Sequence, residues 1–156
     1  EKFEKFKIQK EGKDIVFKFG MFETTIDQNW VKSKVSNEYV QSYWVTKKSL
    51  RDATVTMEVI PQSLLTGELE SIGYKSLGFS TWVIPSSVKV EKSKNYIKLE
   101  YVVLDPESLN ETYVYDLHMK DKTGNLNSFH VTTYKDVYDS NKKYFDSIIS
   151  RLKITQ

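Results

Sequence analysis

The sequence predicts an α+β fold in one domain spanning residues 1–156: a mainly antiparallel β-sheet flanked by helices. Three observations predict it. Apolar and polar residues alternate with a period of two in several short segments, most cleanly in ATVTMEVI. Aromatic residues make up 13% of the chain within an apolar share of 39%, which favours strands and flat buried surfaces. Two stretches, one mid-chain and one near the end, carry apolar residues at helical spacing.

Taken in order, Phe6 and Ile8 and then Ile15, Phe17 and Phe19 alternate around KEGKD. A two-residue turn at Glu11-Gly12 is expected to set Ile8 opposite Ile15 and Phe6 opposite Phe17. Residues 21–34 are irregular and polar, which predicts a loop or short helix holding Trp30. Tyr39 to Val45 reads as a strand. In residues 53–60, Ala53, Val55, Met57 and Val59 share one face, Thr54, Thr56 and Glu58 the other, and Pro61 ends the run.

Ser63 is placed to cap a helix through about Leu77, with Leu65, Leu69 and Ile72 on its apolar face and Gly78 as its stop. Strands follow at Trp82 to Val90, interrupted by Pro85, then at Ile97 to Val103, Thr112 to Met119 and Ser128 to Tyr134. LDPESLNE and KTGN supply turn residues between them. A helix from about Asp139 closes the domain, with Phe145, Ile148, Ile149 and Leu152 at i, i+3, i+4 and i+7.

This order of elements resembles the PsbP-like superfamily. The positions that carry the resemblance are Trp30 after the first hairpin, ATVTMEVIP, the VYDLHM and FHVTTY hairpin, and the closing FDSIISRLKI, in which a helix runs into a short return to the sheet. The superfamily includes extrinsic photosystem PsbP proteins, the bacterial envelope lipoprotein DcrB and a eukaryotic branch that binds the Ran GTPase. The resemblance implies an α/β/α sandwich, a noncatalytic role and, in bacteria, tethering outside the membrane through an upstream lipidated cysteine.

Composition narrows the function classes. The 23 basic and 21 acidic residues leave a net charge of +2, and arginine occurs only at Arg51 and Arg151, so no nucleic-acid partner is expected. Without cysteine, thiolate catalysis, thiolate metal sites and disulfides are excluded. No apolar run approaches the ~18 residues of a transmembrane segment. The chain opens at Glu1 with EKFEKFK, read as the visible end of a tether whose targeting signal lies upstream.

Candidate chemistry centres on the two histidines, His118 and His130. Pairing Leu117 with Val131 and Met119 with Phe129 would set His118 opposite His130 and Asp116 opposite Thr132, a patch able to bind a divalent metal or share a proton. The competing reading is a polar sheet face that happens to hold both rings, with no nucleophile beside them. No nucleophile elbow, phosphate loop, H-E-x-x-H or EF-hand calcium loop occurs. No catalytic residue and no cofactor is assigned. Tyr39, Tyr43 and Trp44 are the candidate interface, because their strand has the least clearly buried pattern.

The expected function is a noncatalytic, extracytoplasmic, lipoprotein-type domain that binds an unidentified protein of the bacterial cell envelope. The alternative is a carrier of a small ligand (lipid, sugar or metal) in an aromatic-lined pocket between the sheet and a helix.

Overall fold

The computed structural model describes residues 7–45, 53–65, 67–78 and 82–155. Among the described residues, ten strands form two antiparallel sheets. β1 (Ile15–Phe19), β2 (Phe22–Ile26) and β10 (Lys153–Ile154) make a small sheet in the order β1-β2-β10. β3 (Trp30–Lys32), β4 (Val40–Val45), β5 (Thr54–Ile60), β6 (Lys89–Lys92), β7 (Tyr96–Leu104), β8 (Glu111–Lys120) and β9 (Leu126–Tyr134) make a seven-stranded sheet in the order β3-β4-β5-β9-β8-β7-β6. α1 (Leu69–Gly78) packs on β7 and β8 from one face of this sheet. On the other face lie α2 (Lys135–Ser140), α3 (Lys142–Ser150) and the small sheet. This is the layered, mainly antiparallel α+β architecture that the alternation predicts.

The first hairpin is not the one expected. β1 turns at Gly20-Met21 and pairs with β2, so that Phe17 faces Thr24 and Phe19 faces Phe22. Gly20 takes φ +60°, which a two-residue hairpin turn demands at its first position. Met21 N–H then donates to the buried Asn127 Oδ1 at 2.9 Å, pinning the turn to β9. Glu11-Gly12 does bend the chain, but Gln28 N–H donates to Glu11 O and Asn29 Nδ2 to Gln9 O, both at 2.8 Å. Residues 9–11 therefore run against the β2–β3 loop rather than folding back on β1. Ile8 packs on the core without pairing to Ile15, and Phe6 lies outside the described residues.

Two further differences follow from capping and packing. Ser63 sits inside a 3₁₀ turn, Gln62–Leu64, and the helix starts only at Leu69. Within α1, Gly73 lies so near β7 that an added Cβ would stand 2.7 Å from Ile97 Cδ1, so the glycine sets the helix-to-sheet spacing. The C-terminal helix is two helices, broken at Asn141, whose Oδ1 accepts from Ile8 N at 2.6 Å and whose Nδ2 donates to Val137 O at 2.9 Å. The expected apolar face survives the break. Phe145 and Ile148 are fully buried, with Ile149 and Leu152 packed beside them.

The interrupted segment around Pro85 is one edge of the sheet in two pieces. Val83 bridges Val103, a 3₁₀ turn occupies Pro85–Ser87, and β6 then pairs with β7. The short return after the last helix, β10, goes to β2 of the small sheet, not to the large one: Lys153 pairs with Glu23 and Ile154 with Phe22. The main core lies between the layers around Phe22, Phe129, Phe145, Met57, Val55 and Val131.

Candidate functional site

Alternation sends Asp116 and His118 of β8 to the α1 face and Tyr113, Tyr115, Leu117 and Met119 to the face under α2 and α3. The turn after β8 fixes which residues meet. Asp121 Oδ1 accepts from Thr123 N at 2.9 Å and Asn125 N at 3.0 Å, and Asp121 Oδ2 from Asn127 Nδ2 at 3.1 Å. The turn closes within residues 121–125, leaving Lys120 opposite Leu126. Relative to the expected register the pairing slips by two: Asp116 faces His130, His118 faces Ser128, and Leu117 faces Phe129. A slip of two keeps every side chain on its face, so the histidines and Asp116 still meet.

Across the sheet, Ser42, Thr56, His130, Asp116 and Leu99 form one row, and Val40, Glu58, Ser128, His118 and Ile97 the next. On this face a chain of polar groups links four strands, β5, β9, β8 and β7. Tyr101 Oη donates to Asp116 Oδ2 at 2.9 Å, His130 Nδ1 donates to Asp116 Oδ1 at 2.5 Å, and His130 Nε2 donates to Glu58 Oε1 at 2.9 Å. The Asp116 side chain is 4% exposed, whereas those of His130 and Glu58 are 21% and 30% exposed, so the chain opens to solvent at one end.

The two histidines carry different charges. Burial pulls the His130 pKa down, but its hydrogen bonds to Asp116 and Glu58 outweigh that and raise it to about 9. His118 is lowered to about 4, by burial first and then by the positive charge of His130. Asp116 is held below the usual carboxylate range: burial opposes this, and the bond to His130 overcomes it. The bond to His130 likewise lowers Glu58. At neutral pH an imidazolium is clamped between two carboxylates beside a neutral imidazole.

His118 Nδ1 and Ser128 Oγ are hydrogen-bonded at 2.7 Å, so a hydroxyl does stand beside the pair, contrary to the sequence reading. Both residues are buried at 3% and 2% exposure, and His118 Nε2 has no hydrogen-bond partner among the described residues. The Ser–His contact has the spacing of a nucleophile and its base, with both members buried. A metal fits the cluster poorly, because both His130 nitrogens are spent on carboxylates. Among the described residues, no three His, Asp or Glu side chains converge as a ligand set. Sequence reasoning missed Glu58, Ser128 and Tyr101; the alternation of residues 53–60 put Glu58 on the polar face, but nothing local reveals that β5 lies beside β9.

The candidate interface residues part company. Tyr43 points inward, its ring 4.7 Å from that of Phe17 and edge-on to it. Trp44 points the other way, 45% exposed, and Tyr39 is 43% exposed just before β4 begins. Val31 of edge strand β3 stands directly across from Trp44 and is 41% exposed, so the two form an apolar pair. On the opposite face, where the sheet runs out past α2 and α3, a cleft of about 520 Å³ has Tyr113, Tyr115 and Tyr138 among its lining residues.

A model of the family described as a domain of unknown function, DUF7955, matches residues 14–153. The chain belongs to this family. Among solved structures it is similar to the cyanobacterial PsbP (CyanoP) of Synechocystis sp. PCC 6803, with 18% identity and a TM-score of 0.56 over 86% of each chain. It is also similar to the Saccharomyces cerevisiae Ran-binding protein Mog1p, with 4% identity and a TM-score of 0.61 over 95% of this chain and 97% of that one. No curated protein sequence matches it. The likenesses show a PsbP-like fold, as the order of elements suggested. No helix among the described residues is long and apolar enough to cross a membrane.

Proposed function

We propose that this DUF7955 domain is a noncatalytic module that binds another protein in the bacterial cell envelope, docking it on the β3–β4 end of the large sheet. The observation that carries the reading is the exposed Val31–Trp44 pair on a three-residue edge strand. Solvent-facing tryptophan beside an aliphatic residue is what protein interfaces concentrate, and an edge strand offers backbone groups to a partner as well. The PsbP-like fold, shared with a protein whose role is Ran binding, supports a binding role over a chemical one. The ion-paired chain supports it too, since an imidazolium held by Asp116 and Glu58 is no base.

Placement outside the cytoplasm through an upstream lipid anchor belongs to the same proposal and rests on the resemblance to envelope lipoproteins. The full-length gene product tests it. A signal peptide ending in a lipidation cysteine supports the anchor, and a cytosolic start removes it. For docking, the test is capture of one envelope protein by the wild-type domain and its loss with Trp44→Ala; unchanged capture removes the proposed surface.

A further inference from the structure

The cleft beside α2 and α3 lies on the opposite face of the sheet from the Val31–Trp44 pair, with Tyr113 and Tyr115 of β8, Glu100 of β7 and Tyr138 of α2 in its walls. We propose that it is a second binding site, and that its ligand is a neutral saccharide. The volume of about 520 Å³ falls within the ~300–1,000 Å³ range of small-molecule sites.

The lining decides the class by what is already satisfied. Lys135 is paired with Asp139 at 2.6 Å, Lys142 with Asp146 at 2.5 Å and Lys98 with Glu91 at 3.5 Å. A phosphorylated or carboxylated ligand would find only Lys89 outside these pairs among the lining lysines, and a cation only Glu100 among the lining acids, and these two stand opposite each other on β6 and β7. An acyl chain would meet only Val102 and Ile149 as aliphatic residues in a rim of charged groups. A neutral polyhydroxylated ring fits both parts of the lining. Its C–H groups pack on the tyrosine edges that border the cleft, and its hydroxyls donate and accept where charged groups keep spare hydrogen-bonding capacity.

Two details point the same way. Tyr113 and Tyr138 are stacked with centroids 3.7 Å apart and planes 7° apart, a rigid aromatic wall. Tyr138 Oη donates to Asp146 Oδ1 at 2.7 Å, which fixes the ring edge.

The test is calorimetric titration of the intact domain with a panel of neutral mono- and oligosaccharides, sugar phosphates and fatty acids, using wild type, Glu100→Ala and Tyr138→Ala. The expected result is a saturable isotherm with a neutral saccharide, weakened about tenfold by Glu100→Ala, the effect of one lost hydrogen bond. Trp44→Ala leaves the isotherm unchanged, which separates this site from the protein-docking surface. Affinity that is level with chain length assigns a free sugar, and affinity that grows with length assigns a glycan chain; both support the site. Binding only to sugar phosphates or fatty acids, no binding at all, or an isotherm indifferent to Glu100→Ala overturns it. Should Tyr138→Ala fail to fold, Glu100→Ala still decides.

Discussion

His118 and His130 stand edge to face with ring centroids 5.6 Å apart, and only His130 is charged at neutral pH. The asymmetry comes from partners: His130 has a carboxylate on each nitrogen, whereas His118 has Ser128 on one and, among the described residues, no partner on the other. Two stability limbs follow. His130 has a folded pKa of about 9, above its ordinary 6.5, so its contribution is complete below 6.5 and is lost as pH rises through 9. His118, lowered to about 4, contributes above 6.5, and that contribution is lost as pH falls toward 4. Denaturant unfolding from pH 4 to pH 10 should show both declines. His118→Gln flattens the acid limb between 6.5 and 4, and His130→Gln flattens the alkaline one; unaltered curves in the variants would refute the assignment.

Removing the cation is more damaging than removing its exposed partner. His130→Ala leaves the buried Asp116 carboxylate without its counter-ion and should cost about 3–5 kcal/mol in urea unfolding. Glu58→Gln takes away the better-exposed acid and should cost about 1 kcal/mol. Equal losses would mean that burial does not govern the chain.

Tyr43 and Trp44 are neighbours in sequence with opposite fates. Tyr43→Ala removes an edge-on ring from Phe17 and is expected to destabilise the fold by about 2–4 kcal/mol. Trp44→Ala should change stability by less than about 1 kcal/mol while abolishing partner capture. Thermal melts of the two variants, read beside a pulldown, separate packing from binding.

Gly73→Ala offers a test in which two effects oppose. Helix propensity favours alanine by about 1 kcal/mol, but the new methyl would stand 2.7 Å from Ile97 Cδ1. Overpacking of that kind costs about 1–3 kcal/mol, so a net loss of melting temperature is expected. Pairing the change with Ile97→Val should recover part of it.

What could be read from the sequence was whatever has a local period. Residues 53–60 and the Phe145–Leu152 face carry their own pattern and appear in the structure as expected. β2 was missed because Glu23, Thr24 and Thr25 hide its alternation, although Thr24 is buried and donates its hydroxyl to Ile148 O at 2.7 Å. A threonine satisfied by a helix carbonyl looks polar in one dimension and apolar in three. The site was half legible for a related reason: the face of each residue follows from alternation, but the pairing of β8 with β9 was set by a side chain in the turn, Asp121.

Strand β10 joins Lys153 to Glu23 and Ile154 to Phe22, and Thr155 N–H donates to Met21 O at 2.8 Å. During synthesis on the ribosome, the first hairpin must wait for the last of these residues to emerge before its open side is covered. Nascent chains stalled short of residue 153 should therefore leave Phe22 and its neighbours susceptible to chaperones and proteases.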